Sequence, residues 1–193
     1  MIDSVLQLLK DEMSDFLIRL PELDIRTEDV VHLSGIVEED GTLLIPDNSL
    51  GLSVVNIEEE RVMKSPEAVN QSAEGRVSRI NPMIKLNLFV LVSVNASNYK
   101  TGLQYLSGAV RFFQSKNVFT HENAPTLHPE IEKLIVELYT LNFEQQNHLW
   151  GALGANYLPS VLYRIRLLPI QEAQKTAEEE PVHAIDITGT NIS

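Results

Sequence analysis

Apolar side chains recur every three or four residues along the first twenty positions of the chain. This spacing places them on one stripe of a helix. Ser4 followed by Gln7 is typical of a capping box, and Pro21 predicts the end of the helix. The predicted stripe consists of Val5, Leu6, Leu9, Met13, Phe16, Leu17 and Leu20.

Short β-rich runs follow between residues 30 and 64. VVHLSGIV, TLLIP and LGLSVVNIEEERVM are separated by EEDG and PDNS, which are turn compositions, so three strands are predicted. Residues 65–82 show no period and are rich in Ser, Pro, Asn, Gln and Gly, so we expect an exposed loop. Residues 83–94 are apolar on both faces, which predicts a central strand covered on both sides.

A second amphipathic helix is predicted after this strand. Its apolar stripe would consist of Tyr99, Leu103, Leu106, Val110 and Phe113.

A strand, a helix and a further strand are predicted for residues 132–168. Residues 132–141 predict a strand, and Asn142 with Gln145 predict the cap of a third helix that ends at Gly154. Residues 161–168 alternate as a further strand whose second face is partly basic.

This order of elements mixes local β pairing with helical crossovers. We therefore predict an α/β (α+β) fold, a mixed β-sheet flanked by helices, in one domain of residues 1–170. Residues 171–180 are polar and should not pack on their own, so residues 171–193 are predicted to be a linker and an extended C-terminal arm.

The net charge of the chain indicates which kinds of binding partner are disfavoured. The chain has 27 acidic and 15 basic residues, a net charge of -12, which disfavours nucleic acid and anionic membrane surfaces. It has no cysteine, which excludes disulfides and thiolate chemistry and is compatible with assembly in the cytoplasm. The N-terminus interleaves acids with apolar residues, so we expect no signal peptide. Proteins are the expected partners.

The sequence contains few of the residue patterns that are typical of catalytic or metal sites. His121 and His128 share one predicted loop but lack a third metal ligand, and no P-loop, G-x-S-x-G or GxGxxG motif is present. In the run Glu58 to Glu60 only the first and last side chains share a strand face, which fits a solvated edge or interface better than an acid/base pair. We predict no catalytic residue, no cofactor and no metal.

Three segments resemble one family when taken together. They are VVNIEEERVMK (54–64), LNLFVLVSVNASNYKTGLQYLSGAVRFFQ (86–114) and EKLIVELYTLNFEQQNHLWGALGANYLPSVLYRIRLLPI (132–170). They resemble the cap (tail-terminator) proteins of extracellular contractile injection systems of the antifeeding prophage and Photorhabdus virulence cassette type. The resemblance implies a structural subunit with a phage tail-terminator-like fold. It also implies a hexameric ring that closes the distal end of the inner tube and sheath of a phage-tail-like particle.

Two other functions stay open from the sequence. One is another tail-completion protein of a contractile phage or related particle. The other is a small α/β ligand-binding domain or enzyme.

Two surfaces are hypothesised as partner interfaces. The first combines charges of both signs, from Asn56, Ile57, Glu58, Glu59, Glu60 and Arg61 on one strand with Arg164 and Arg166 on another, although surface pairing of these arginines with nearby acids is the alternative. The second is the strand-like segment of residues 182–188 with Val182, Ile185 and Ile187, which is either a loose end or a strand lent to a neighbouring subunit.

Overall fold

The computed structural model describes residues 1–23, 25, 29–60, 69–71, 77–80, 85–169 and 175–179. They belong to two compact units. The larger unit is Met1–Glu60 with Lys85–Ile170, and the smaller is Arg61–Ile84 with Gln171–Ser193. The prediction had instead kept residues 61–84 in the same domain as their flanking segments.

Three α-helices belong to the larger unit. They are α1 (Ile2–Ile18), α2 (Tyr99–Ser115) and α3 (Phe143–Leu153). A 3₁₀ turn, Pro21–Leu23, follows α1, so the proline ends the helical pattern as predicted.

The start of α1 differs from the prediction. The helix begins one turn earlier than the predicted capping box, and its N-cap residue Met1 makes no side-chain capping bond. Gln7 instead donates to Asp11 Oδ1 over 2.8 Å, one helical turn further on. The capping box at Ser4 and Gln7 is therefore wrong, because a polar pair at that spacing occurs inside a helix as readily as at its start.

A six-stranded sheet forms the centre of the larger unit. In spatial order it runs β1-β2-β5-β8-β7-β6. Only the pairing of β1 with β2 is parallel, which makes this the mixed sheet that was predicted. The strands are β1 (Val31–Leu33), β2 (Ser49–Glu59), β5 (Leu86–Asn95), β6 (Val118–Thr120), β7 (Ile131–Tyr139) and β8 (Ser160–Pro169).

The run TLLIP does not form the predicted strand. Val37 and Leu43 make an isolated antiparallel bridge, and the chain between them turns tightly, with Glu38 N donating to Thr42 O over 2.8 Å. The apolar run lies between two turn sequences and pairs at only this one position. We call residues 37–43 the acidic hairpin.

One face of the sheet packs against α1 and α2 to form the main core. Its buried side chains include Leu52, Val90, Val92, Ile165 and Leu167 from the strands and Leu9, Met13, Leu17, Ala109 and Phe112 from the helices.

The buried face of α2 matches the predicted stripe only in part: Phe113 is buried and Leu106 packs partly against the core. Tyr99 and Leu103 are exposed, and Gly102, Tyr105, Gly108, Ala109, Phe112 and Phe113 are buried. A Cβ on Gly108 would come within 2.5 Å of Leu17 Cδ2, so the helix approaches α1 through a glycine. Because the pattern was read from large apolar residues, it missed a contact face made partly of glycine.

The opposite face of the sheet carries a smaller core. Ile36, Ile45, Phe89, Leu91, Trp150 and Leu162 are buried there, contributed by the segment before β2, by α3 and by the sheet itself. Since residues of β5 enter both cores, the prediction of a central strand covered on both sides is confirmed.

The predicted ends of α3 are confirmed. Asn142 Oδ1 accepts from Gln145 N over 2.8 Å, and Gln145 Oε1 accepts from Asn142 N over 3.0 Å, which completes a capping box. Gly154 ends the helix with a φ of 66°, a left-handed conformation that favours glycine.

The smaller unit contains a three-stranded antiparallel sheet with the order β3-β4-β9. Its strands are β3 (Val69–Gln71), β4 (Val77–Ile80) and β9 (Lys175–Glu179). The exposed loop predicted for residues 65–82 and the unstructured linker predicted for residues 171–180 are therefore wrong where these strands lie. Both segments are too polar for apolar alternation to reveal a strand.

Candidate protein-interaction surface

The register of the sheet brings together side chains that the sequence places far apart. Residues directly opposite one another on adjacent strands share a face. Across β2, β5, β8 and β7 one row consists of Asn56, Phe89, Arg164 and Glu137, and the next consists of Glu58, Asn87, Arg166 and Ile135. We call these two rows the charged rows. They contain four of the residues proposed from the sequence as an interface.

The two arginines of the charged rows share one carboxylate. Arg164 Nη2 lies 2.7 Å and its Nε 3.2 Å from Glu137 Oε2, while Arg166 Nη1 lies 3.8 Å from the other oxygen of Glu137. About a third of each of the three side chains is exposed to solvent. Arg164 is therefore held by hydrogen bonds within its own sheet, whereas the guanidinium of Arg166 makes only the longer contact with Glu137.

The acidic side of the charged rows is bound by amides. Glu58 Oε1 accepts from Asn56 Nδ2 over 2.9 Å, and Glu60 Oε2 accepts from Asn87 Nδ2 over 3.1 Å. Asn87 is buried, and its Oδ1 has no hydrogen-bond partner among the residues that the structure describes. Glu58 and Glu60 thus share one sheet face and have separate amide partners.

Ile57 and Glu59 lie on the other face of the sheet. Their partners on β5 are Leu88 and Leu86, and about half of the Ile57 side chain is exposed (48%). The sequence proposal grouped these residues with Glu58, but alternation along the strand sends them to the side of α1 and α2.

The outer edge of β2 is a feature that the sequence did not reveal. β1 pairs only with Leu50 to Leu52, so from Val54 to Glu59 the strand has β5 on one side and no described strand on the other. A bulge interrupts the register between Val54 and Asn56, and Asn56 Oδ1 accepts from the backbone N–H of Ile57. Bulges and polar side chains at an edge limit uncontrolled pairing.

Four residues of the proposed interfaces lie outside the described part of the chain. They are Arg61, Val182, Ile185 and Ile187. The predicted C-terminal strand of residues 182–188 lies outside it as well.

His121 and His128 show no shared metal site within the described part of the chain. His128 Nδ1 accepts from Glu130 N over 3.3 Å, and His121 lies exposed in the turn after β6. Within the described residues, no group of three or more His, Cys, Asp or Glu side chains could hold a metal ion. The same part of the chain has no helix long and apolar enough to cross a membrane.

Comparison with known proteins gives a consistent result. The sequence model of the Pvc16 N-terminal domain family matches residues 3–184. The fold is similar to that of a sheath/tube terminator in the extended state from PVC, an extracellular contractile injection system (TM-score 0.59, 14% identity, 100% of this chain and 64% of that one). It is also similar to the tube-terminating cap of the anti-feeding prophage (TM-score 0.54, 13% identity, 98% of this chain and 61% of that one).

The present chain thus spans less than two thirds of the length of either solved relative. No curated protein matches the sequence.

Proposed function

This chain belongs to the Pvc16 N-terminal domain family, and from that premise we propose that it is a structural cap protein. In this role it closes the distal end of the inner tube and sheath of a phage-tail-like contractile injection system. The observation that carries the proposal is the fold, which is similar along the whole chain to a sheath/tube terminator.

Ending a polymer sets a physical requirement that this chain can meet. A tube grows because each ring presents a surface that binds the next ring, and a terminator must bind that surface while presenting a different one outward. We propose that six copies form a ring for this purpose, following the resemblance to the cap family. Each ring would contact the last tube and sheath subunits, and the particle would assemble in the cytoplasm.

The charged rows support a role in docking. Arg166 and Glu58 offer charges of both signs on an open sheet face, and complementary charge fixes the register of a protein contact more than it adds affinity. The solvent-accessible side chains can therefore align a rim or a neighbouring copy without a deep pocket. We propose that this face contacts either the tube rim or the adjacent subunit.

Electron microscopy of particles produced with and without this chain tests the function. With the chain, particles should have uniform length and a closed distal end. Without it, sheath and tube should end raggedly or vary in length, and supplying the chain from a plasmid should restore the closed end. Closed particles of normal length in its absence would exclude the cap role.

A further inference from the structure

A groove lies between the acidic hairpin and the C-terminal end of α3. Its volume is about 350 Å³. Apolar side chains, one asparagine and three glycines line it, among them Val37, Leu43, Trp150, Leu158, Gly151 and Gly154. We call it the α3 groove.

The α3 groove has the properties of a surface that a partner covers. A Cβ built on Gly151 or Gly154 meets nothing within 4 Å, so the wall is open. Leu43 is 39% exposed, and Tyr157, whose ring meets Trp150 edge-on at 5.5 Å, is 58% exposed. Trp150 itself is 5% exposed, and its indole N–H has no acceptor within the described residues. Buried donors normally have an acceptor, and exposed apolar surface favours burial.

The rim of the groove is acidic. Glu38, Glu39 and Asp40 form the exposed tip of the hairpin, and Gly41 N donates to Glu38 O over 3.0 Å to close the turn. The backbone N–H of Thr42 donates to Asp40 and holds the pKa of that carboxyl below its ordinary value of 3.8. The tip therefore presents three acidic side chains beside the groove, so a suitable occupant is apolar and basic.

The outer face of α2 has that composition. Its sequence contains no acidic residue although the whole chain has a net charge of -12. Tyr99 is 71% exposed, Leu103 lies one turn further along with 39% exposed, and Lys100 is exposed beside them. The second cation of the helix, Arg111, is already bound by Glu22. We call Tyr99, Lys100 and Leu103 the α2 face.

The two surfaces belong to opposite sides of the sheet. The inner side of α2 packs into the main core with Val92 and Val94, whereas Trp150 packs into the smaller core with Phe89 and Leu91. One copy therefore cannot place its own α2 face in its own α3 groove. Contacts between unlike surfaces of successive copies are heterologous, and they close into a ring when the rotation allows.

We propose that the α2 face of one copy docks in the α3 groove of a second copy. Tyr99 and Leu103 cover the apolar lining, and Lys100 lies against the acidic tip of the hairpin. The inference deepens the proposed function, since it rests on the cap forming a ring and names the two surfaces that join its subunits.

Cysteine trapping tests the contact directly, because the chain contains no cysteine of its own. The full-length variants Lys100→Cys and Glu39→Cys are mixed at high protein concentration under mild oxidation. We expect a disulfide-linked dimer, and a ladder of higher species when both cysteines are in one chain. The matched control pairs Lys100→Cys with Glu132→Cys, an exposed acid on β7. Equal trapping in both pairs would overturn the proposal.

Charge exchange tests the pairing by a second route. Lys100→Glu should lower the association constant about tenfold, which corresponds to about 1.4 kcal/mol. Adding Glu38→Lys and Glu39→Lys should restore it. Lys133→Glu makes the same charge change on β7, outside the α2 face and the lining of the α3 groove, and should have little effect. Failure of the exchange to restore association would overturn the assignment of Lys100 to the hairpin.

A space-filling change gives a readout that does not depend on charge. Gly151 lines the groove and a Cβ on it meets nothing within 4 Å, so Gly151→Leu should keep thermal stability and lower self-association. Unchanged association with a folded Gly151→Leu chain would exclude the groove. Particle imaging separates this inference from the function: closed particles built with a non-associating Lys100→Glu chain would overturn the contact and leave the cap role standing.

Discussion

Arg164 on β8 lies directly opposite Glu137 on β7, and its Nη2 is 2.7 Å from the carboxylate Oε2. Arg166, two residues further along the same strand, reaches the same carboxylate only at 3.8 Å. The two arginines that look equivalent in the sequence therefore differ in structure. One completes a cross-strand ion pair, and the other has a weaker internal contact.

This difference predicts separable effects of charge reversal. Arg164→Glu places two carboxylates opposite one another, so we expect a loss of about 1 kcal/mol in the free energy of unfolding, limited by solvent screening. Arg166→Glu should change stability by less and should weaken ring formation or capping more. Thermal unfolding measures the first effect, and counting capped particles in micrographs measures the second. Equal loss of stability and capping for Arg166→Glu would indicate an intramolecular role only.

The close approach of Gly108 in α2 to Leu17 in α1 leads to a prediction about packing. In Gly108→Ala the new methyl group would lie 2.5 Å from Leu17 Cδ2, so overpacking should cost about 1–3 kcal/mol, partly offset by about 1 kcal/mol of helix propensity. Gly151→Ala is the matched control on α3, where nothing lies within 4 Å, and should be neutral or stabilising. Denaturant unfolding of both variants checks the prediction. A stabilised Gly108→Ala chain would show that Leu17 moves aside without strain.

Tyr163 predicts a loss of stability at alkaline pH. Burial raises the pKa of its phenol to about 12, above the ordinary value of 10.0. The folded state holds this proton more tightly than the unfolded state. The stabilising contribution is therefore complete below pH 10 and is lost as the pH rises through about 12. At about 1.4 kcal/mol per pKa unit the loss amounts to about 2–3 kcal/mol.

The control for this prediction is Tyr163→Phe, which keeps the ring in the core and removes the ionisable group. Unfolding measured from pH 9 to 12 should be less steep in the variant than in the parent chain, since other tyrosines and lysines titrate in both. Identical slopes would contradict the assignment to Tyr163.

A non-enzymatic role predicts tolerance at the two loop histidines. Replacing His121 and His128 together by alanine should leave folding and capping intact, because neither side chain belongs to a metal-binding group within the described residues. Particle yield and cap occupancy are the measurements. Loss of capping by a variant that still folds would contradict the prediction. A role for metal would be indicated if added zinc increased capping by the parent chain but not by the variant.

The C-terminal arm remains a prediction, and the structure changes how it should be tested. Lys175–Glu179 pairs with β4, so the chain should be cut after Glu180 in order to keep that strand. We expect the truncated chain to fold, and we expect its caps to detach more readily if residues 182–188 add a strand to a neighbouring subunit. Normal capping by the truncated chain would leave the arm as a passive end.

The sequence predicted those elements that are determined by residues only a few positions apart. Asn142, Gln145 and Gly154 specify the ends of α3 through contacts within a few residues, and the apolar run of β5 marks a strand buried on both sides. The contact face of α2 could not be found in this way, because Gly108 contributes by having no side chain. The polar strand β9 depends on its partner β4, which lies far away in the chain.

The candidate surface also combines features that neighbouring residues determine with features that depend on distant parts of the chain. Alternation along single strands put Glu58 and Glu60 on one side and grouped Arg164 with Arg166. The pairing of Arg164 with Glu137 depends on the register between β7 and β8, which no short pattern encodes. The same holds for the α3 groove, whose hairpin and helix lie far apart in the sequence and meet only in the fold.

The position of β5 also bears on how the protein is made. Leu88 pairs with Ile57 on one side and with Ile165 on the other, so the central strand lacks one neighbour until nearly all of the larger unit has left the ribosome. Pairings between such distant segments raise the contact order and slow folding. The sheet of the larger unit therefore stays incomplete during synthesis until β8 has emerged and can pair with β5.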